Sequence, residues 1–157
     1  QSCNGNTRRE IKICTDAKSE LISLISEKST IGDLGNISVP LKVKSETERL
    51  DLELRVYEIT GKVDKCKKEH DGDYHIRLID SDGNYIICES ANPDCHYTKN
   101  SKFISQIIEV RDFVKSNEIE GKTVTITGVA FIDIDHVYAR KQAKNNIELH
   151  PILKITF

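Results

Sequence analysis

Long apolar runs are missing from this sequence: none approaches the roughly 18 to 20 residues a membrane-spanning helix needs, which excludes an integral helical membrane protein. A surplus of positive charge is missing too. Lys and Arg total 23 against 25 Asp and Glu, a formal charge of −2, so no global field draws in polyanions and any nucleic-acid site has to be a local patch. No C-x-x-C pair occurs, which argues against a zinc site. There is no Trp and no Met, yet 38% hydrophobic content with five Tyr and four Phe describes an ordinary globular chain rather than a disordered one. Internal repeats and low-complexity tracts are absent. The length of 157 residues fits one domain with a real core.

Cysteine, by contrast, is plentiful. Cys3, Cys14, Cys66, Cys88 and Cys95 are many for a cytosolic domain and point to an oxidising compartment; two bridges and one leftover thiol are expected, with the pairing open. Gln1 in place of an initiating Met leads to the expectation of a removed leader, a signal peptide above all, and of a secreted or periplasmic protein. Cys3 is also a candidate for lipid attachment.

Residues 1–48 read as an N-terminal extension packed on a main domain, residues 49–157. In the extension Asp16 is a candidate N-cap, Leu21, Ile22, Leu24 and Ile25 give a short apolar helical face, and Gly32, Gly35 and Pro40 mark turns. From Leu50 the period becomes two: Leu50, Leu52, Leu54 and Val56 share one face, then Tyr57, Ile59, Gly61 and Val63 the other, which predicts a bulge or bend within one long strand. The stretches "DYHIRLID" and "NYIICES" follow as a hairpin turning at Asp82-Gly83. Ile104, Ile107, Ile108, Arg111 and Val114 predict a helix over 102–116, with Ser101 as cap and Gly121 beyond its end. "KTVTITGVAFIDID" and "IELHPILKITF" are two further strands, joined by the polar loop "HVYARKQAKNN".

This order predicts a mainly β (α+β) domain: a five-stranded, OB-fold-like Greek-key barrel with one helix between strands three and four. A split sandwich is the competing architecture. Gly61 and Gly128 lie mid-strand, where a small barrel curves sharply.

In the closing strand Ile147, Leu149, Leu153, Ile155 and Phe157 share one parity and should line the barrel, leaving Glu148, His150 and Lys154 outside. Glu148 and His150 can then converge on one ligand, or they are simply a polar pair on a partly solvated strand. His75 and Arg77 share an outward face of strand two. The usual OB ligand surface brings them, with Lys67 and Lys68, toward the loop carrying His136, Tyr138, Arg140, Lys141 and Lys144. Such a basic patch suits single-stranded nucleic acid or an oligosaccharide, although a solvated charged rim looks the same in sequence. Asp133, Asp135, His136, Glu148 and His150 are chemically able to bind metal, but their spacing matches no ligand signature. The sequence therefore assigns no metal site, no cofactor and no catalytic residue. It also holds no nucleophile-elbow Ser and no paired-His zinc helix.

These motifs resemble a family of small, secreted, largely uncharacterised bacterial proteins. The resemblance covers roughly residues 50–157 and rests on Glu69, Asp71, Gly72, Asp73, Tyr74 and His75; on Glu89, Pro93 and Cys95; on Gly128, Val129, Phe131, Asp133 and His136; and on Asn145, Ile147, Glu148, Leu149, His150 and Pro151. It implies that His75, His136, Glu148 and His150 form one polar cluster. The chain departs from the family at Val137-Tyr138, where Gly-Gln is usual, and at "SNEIEGK", where a second cysteine is usual, so the partner of Cys95 lies among Cys3, Cys14, Cys66 and Cys88.

The resulting expectation is an extracytoplasmic OB-fold binding module rather than an enzyme, with His75, Arg77, His136, Tyr138, Arg140, Lys141, Glu148 and His150 as ligand-binding residues. Its partner would be a nucleic acid or other polyanion, an oligosaccharide or a protein. The alternatives are a metal-dependent, phosphodiesterase-like hydrolase, or a purely structural His and Glu cluster that fixes the extension.

Overall fold

The computed structural model describes residues 3, 7–39, 42–136 and 139–157. In chain order its elements are helix α1 (Arg9–Ile13), strand β1 (Ser26–Lys28), helix α2 (Ile31–Gly35), strands β2 (Val56–Lys68), β3 (Tyr74–Ile79) and β4 (Tyr85–Ser90), helix α3 (Ile104–Ser116), and strands β5 (Thr123–Ile132) and β6 (Ile147–Thr156), with short 3-10 turns between them.

The strands hydrogen-bond in the order β2-β3-β4-β6-β5, and β5 returns to β2, so the sheet closes. Within this ring the β4–β6 pair is parallel and the other pairs are antiparallel. A five-stranded Greek-key barrel with a helix between its third and fourth strands is the OB fold. Among the described residues, closure leaves only the short β1, added in parallel outside β2, to extend the sheet.

Tyr57, Ile59 and Val63 point into the main core, as a period of two requires. The expected strand start at Leu50 is replaced by a 3-10 turn over Asp51–Leu54, so the change of phase is a change of element. The bulge in β2 falls later, between Val63 and Lys65 opposite β3.

Helix α3 buries Ile107, Val110, Arg111 and Val114, an i, i+3, i+4, i+7 stripe. Ile108, expected on that stripe, is 43% exposed and Val110 takes its place. Ser101 does not cap the helix directly: Phe103 is the N-cap, and the Phe103 N–H donates to Ser101 Oγ at 3.2 Å.

β6 departs from simple alternation. Its pairing with β5 shifts on both sides of Gly128, which lies opposite Ile152 while Ala130 lies opposite Leu149. The extra β6 residues flip its phase, so Ile152 joins the barrel core and Leu153 packs in the outer cluster instead. Phe157 also leaves the barrel and rests on Phe113 with ring centroids 5.0 Å apart. A Cβ on Gly128 would lie 2.8 Å from Leu149 Cβ and 3.1 Å from the Pro151 carbonyl oxygen. We expect Gly128→Ala to cost about 1–3 kcal/mol by overpacking, read as a lower urea midpoint. Gly61→Ala should cost less, because its closest clash is with the rotatable Cδ1 of Ile31.

The N-terminal extension is more than a wrapping. Ile31, Leu34 and Val43 enter the main core. The segment read as turns at Gly32 and Gly35 is helix α2, capped by Thr30, whose Oγ1 accepts the Asp33 N–H at 3.1 Å; Pro40 lies outside the described residues. Ile13, Cys14 and Ile22 build a second core with the outward-facing Val56 and Val129 and with Ala91, Phe103 and Ile107. Leu21, Leu24 and Ile25 do not form a buried helical face and are 66%, 85% and 78% exposed.

Asp16 precedes a 3-10 turn without capping it by side chain. Its carboxylate instead pairs with Arg49, at 2.9 Å to Nη2 and 3.0 Å to Nε. Cys3 is bridged to Cys95, and Cys14, Cys66 and Cys88 are free. One bridge thus replaces the expected two, and the Cys3 sulfur it occupies is unavailable for a lipid thioether.

Candidate functional site

Cross-strand register assembles the polar residues. His75 on β3 lies opposite Glu89 on β4, while Cys88 pairs with Leu149 on β6. Cys88 and Leu149 face the core, so their neighbours Glu89 and His150 face outward together. His75, Glu89 and His150 thereby form a row across three strands on the outer barrel surface.

The closing-strand pair is not solvated as sequence alone suggested: His150 is 1% and Glu148 4% exposed, whereas His75 and Glu89 stay partly exposed. Helix α1 packs against β6 over this region. Phe131, outward on β5, lies between Arg8, 5.0 Å from its ring centroid, and the His150 ring at 5.7 Å.

At one end of the row, Glu89 stands between two imidazoles. His75 Nδ1 is 3.2 Å from Glu89 Oε1 and 3.4 Å from Glu69 Oε1. His150 Nε2 is 3.2 Å from Glu89 Oε2 and 3.7 Å from Asp73 Oδ2. Neither His150 ring nitrogen has a hydrogen-bond partner, so Nε2 faces the two carboxylates at close range without a directed bond. Burial pushes the Glu89 carboxyl up, but His150 and His75 outweigh it and hold the pKa below the usual carboxylate range.

Asp73 arrives from the Asp71-Gly72-Asp73 turn. Gly72 has φ 92, a conformation open to glycine. Asp71 Oδ1 accepts the Asp73 N–H at 3.0 Å, Asp73 Oδ1 accepts the Asn92 N–H at 2.7 Å, and Arg111 on α3 donates to the Gly72 carbonyl. Burial, with Asp71 and Glu89 nearby, pushes the Asp73 carboxyl up to about 7 against the pull of His150 and the Asn92 N–H.

Glu148 and His136 belong to a second group. Arg140 places Nη2 at 3.4 Å from Glu148 Oε2 and Nη1 at 3.0 Å from His136 Nε2, and His136 Nε2 is 2.7 Å from Asp133 Oδ2. Burial and repulsion from Asp133 and Glu89 hold Glu148 well above the usual carboxylate range, despite Arg140 and Lys12. The motif cluster is therefore two groups: His75 and His150 meet at Glu89, while His136 and Glu148 meet at Arg140. The suggested metal set Asp133, Asp135, His136, Glu148 and His150 does not converge. Asp135 is exposed and pairs with Lys42 and Asn146, and His150 turns to Asp73 and Glu89.

Arg77 and Lys141 meet elsewhere on the same barrel face. Arg77 Cζ is 5.6 Å and Lys141 Nζ 5.7 Å from the ring centroid of half-buried Tyr85. Arg77 also donates through Nε to Asp64 Oδ2 at 2.7 Å, and exposed Lys65 lies beside it in register. Tyr138 lies outside the described residues. The sequence reading missed Tyr85, Asp73 and Glu89 as site residues. Asp73 and Glu89 belong to the motifs that carry the family resemblance, and that is the signal the sequence offers for them.

No protein-family model matches the chain, and no curated protein matches it. Among solved structures it is similar to Entamoeba histolytica asparaginyl-tRNA synthetase, with 12% identity and TM-score 0.46 over 85% of this chain and 24% of the enzyme. It is also similar to the same enzyme in complex with asparaginyl-adenylate, with 12% identity and TM-score 0.44 over 76% of this chain and 23% of that one. The chain thus spans about a quarter of the length of these neighbours. No helix among the described residues is long and apolar enough to cross a membrane.

Proposed function

We propose that this chain is an OB-fold binding module for a single-stranded polyanion, working outside the reducing cytosol. The carrying observation is the convergence of Arg77 and Lys141, from separate segments, on the Tyr85 ring. Arg77 on the second barrel strand, Tyr85 on the third and Lys141 in the loop between the last two occupy the surface through which OB barrels take extended ligands. Cations beside an aromatic face suit a nucleic-acid strand, since the charges neutralise phosphates while the ring stacks on a base. Lys65 extends the strip. The Cys3–Cys95 bridge favours an oxidising location, in keeping with the resemblance of the motifs to small secreted bacterial proteins.

Fluorescence anisotropy with a labelled single-stranded oligonucleotide, in chelator and over a salt series, tests this reading. Wild type should bind with an affinity that falls as salt rises. Tyr85→Ala should weaken binding by about 1–3 kcal/mol, the contribution of one stacked base. If no binding is seen at low salt and high protein concentration, or if Tyr85→Ala and Arg77→Ala bind like wild type, the nucleic-acid reading falls; saccharide arrays would then be the next screen for this surface.

A further inference from the structure

We propose that Asp73, Glu89 and His150 form a binding site for a divalent first-row transition cation, of which Zn2+ is the probe. One donor atom from each of these residues lies within 4.8 Å of the others. This inference uses different residues from the polyanion strip and stands or falls separately.

Three observations carry it. First, His150 is 1% exposed and neither of its ring nitrogens is hydrogen-bonded. Buried polar groups are nearly always satisfied, so an imidazole left this way calls for an explanation. Its Nε2 faces the Asp73 and Glu89 carboxylates at 3.7 and 3.2 Å. Second, each carboxylate has one oxygen held by the protein and the other turned to His150. Asp73 Oδ1 takes the Asn92 N–H at 2.7 Å, and Glu89 Oε1 meets His75 Nδ1 at 3.2 Å. Anchoring the outer oxygen while the inner one ligates is how proteins orient metal-binding carboxylates. Third, the dimensions are close to what an ion needs. Bonds of 2.0–2.2 Å in a tetrahedral site put donor atoms about 3.4 Å apart, so a small inward movement of the two carboxylates completes the set.

The donor chemistry selects the ion class. One imidazole with two carboxylates suits Mn2+ through Zn2+ and is a poor match for Ca2+ and Mg2+, which prefer all-oxygen shells. Three protein ligands leave a further position for water or another small ligand. The sequence concealed this site because its donors come from a turn, from β4 and from β6, with no local spacing to mark them.

The test is metal binding to the intact, oxidised chain after chelator treatment and desalting. Zn2+ is titrated calorimetrically, and Co2+ by its visible absorption, which reports coordination directly. One equivalent should bind, with Ca2+ and Mg2+ failing to compete. Glu89→Gln and His150→Ala should each weaken binding at least tenfold, whereas Asp133→Asn, in the neighbouring Arg140 group, should retain one equivalent. Should His150→Ala fail to fold, the partly exposed and isosteric Glu89→Gln still decides the matter. Absence of binding to wild type, binding of Ca2+ or Mg2+ in preference, or Zn2+ binding unchanged by Glu89→Gln would each overturn the proposal. The last result would place the ion outside the Asp73, Glu89 and His150 cluster.

Discussion

Glu53→Ala is expected to lower the unfolding free energy by about 3–5 kcal/mol, the range for removing one partner of a buried ion pair. Glu53 is fully buried. Its two oxygens accept four N–H groups: Arg8 Nη1 at 2.8 Å, Arg8 Nη2 at 2.7 Å, and the backbone of Leu50 at 2.9 Å and Ile132 at 2.8 Å. Arg8 spends its remaining donors on the carbonyls of Thr47, Glu48 and Ile132. Truncating Glu53 leaves a buried guanidinium without its counter-charge and strands two backbone donors at once, on top of the lost pair. A double variant, Arg8→Met with Glu53→Met, should recover part of the loss, because it removes both buried charges together. Urea denaturation at constant slope measures all three proteins. A loss below about 1 kcal/mol for Glu53→Ala would mean that water reaches the site and the pair is not buried in solution.

That pair also shows where sequence reading stops. The barrel was legible because each strand carries its own alternation: Tyr57, Ile59 and Val63 on β2, Ile76 and Leu78 on β3, and Ile147 and Leu149 on β6 all face the core. The hairpin turn was legible because Gly83 at φ 83 needs a residue that tolerates that conformation. Arg8 and Glu53 lie 45 residues apart, and Arg49 and Asp16 lie 33 apart; no local period records such partners. The phase flip in β6 was hidden for a different reason. Ile152 and Leu153 are both apolar, so alternation could not tell which one faces inward, and only pairing with Gly128 decides it.

The same limit divided the site. His75, Glu148 and His150 were placed on the correct outward parity, yet their burial was not visible, because it depends on where the extension lies. Arg77 and His75 share one face of β3, but Arg77 joins the Tyr85 strip and His75 the Glu89 row. What separates them is their position along β4: Glu89 lies directly opposite His75, whereas Arg77 lies opposite Ile87 and reaches diagonally to Tyr85, which is a fact of register rather than composition.

Replacing the bridge with Cys3→Ser and Cys95→Ser should cost about 2–5 kcal/mol, since cross-linking residues separated by 92 positions removes much of the freedom of the unfolded chain. The loss should fall heavily on the extension. Tyr97 donates its hydroxyl to the Cys3 carbonyl, and Arg9 stacks on the Tyr97 ring at 4.2 Å, so the bridge holds Cys3 and α1 against the segment after β4. The Asp16–Arg49 and Arg8–Glu53 pairs lie further along and hold α1 independently. The double variant should therefore keep the protection of its barrel and of α1 in hydrogen exchange. Titrating the unfolded, unreduced wild type with a thiol reagent should count three free thiols. In the folded protein Cys66 should react first, because it is half-exposed whereas Cys14 is 1% and Cys88 0% exposed, although burial pushes even the Cys66 thiol up to about 11, leaving little thiolate at neutral pH. A count of one thiol would mean two bridges. An unchanged urea midpoint for the Ser variant would instead mean that the two ion pairs alone hold the extension over the His150 row.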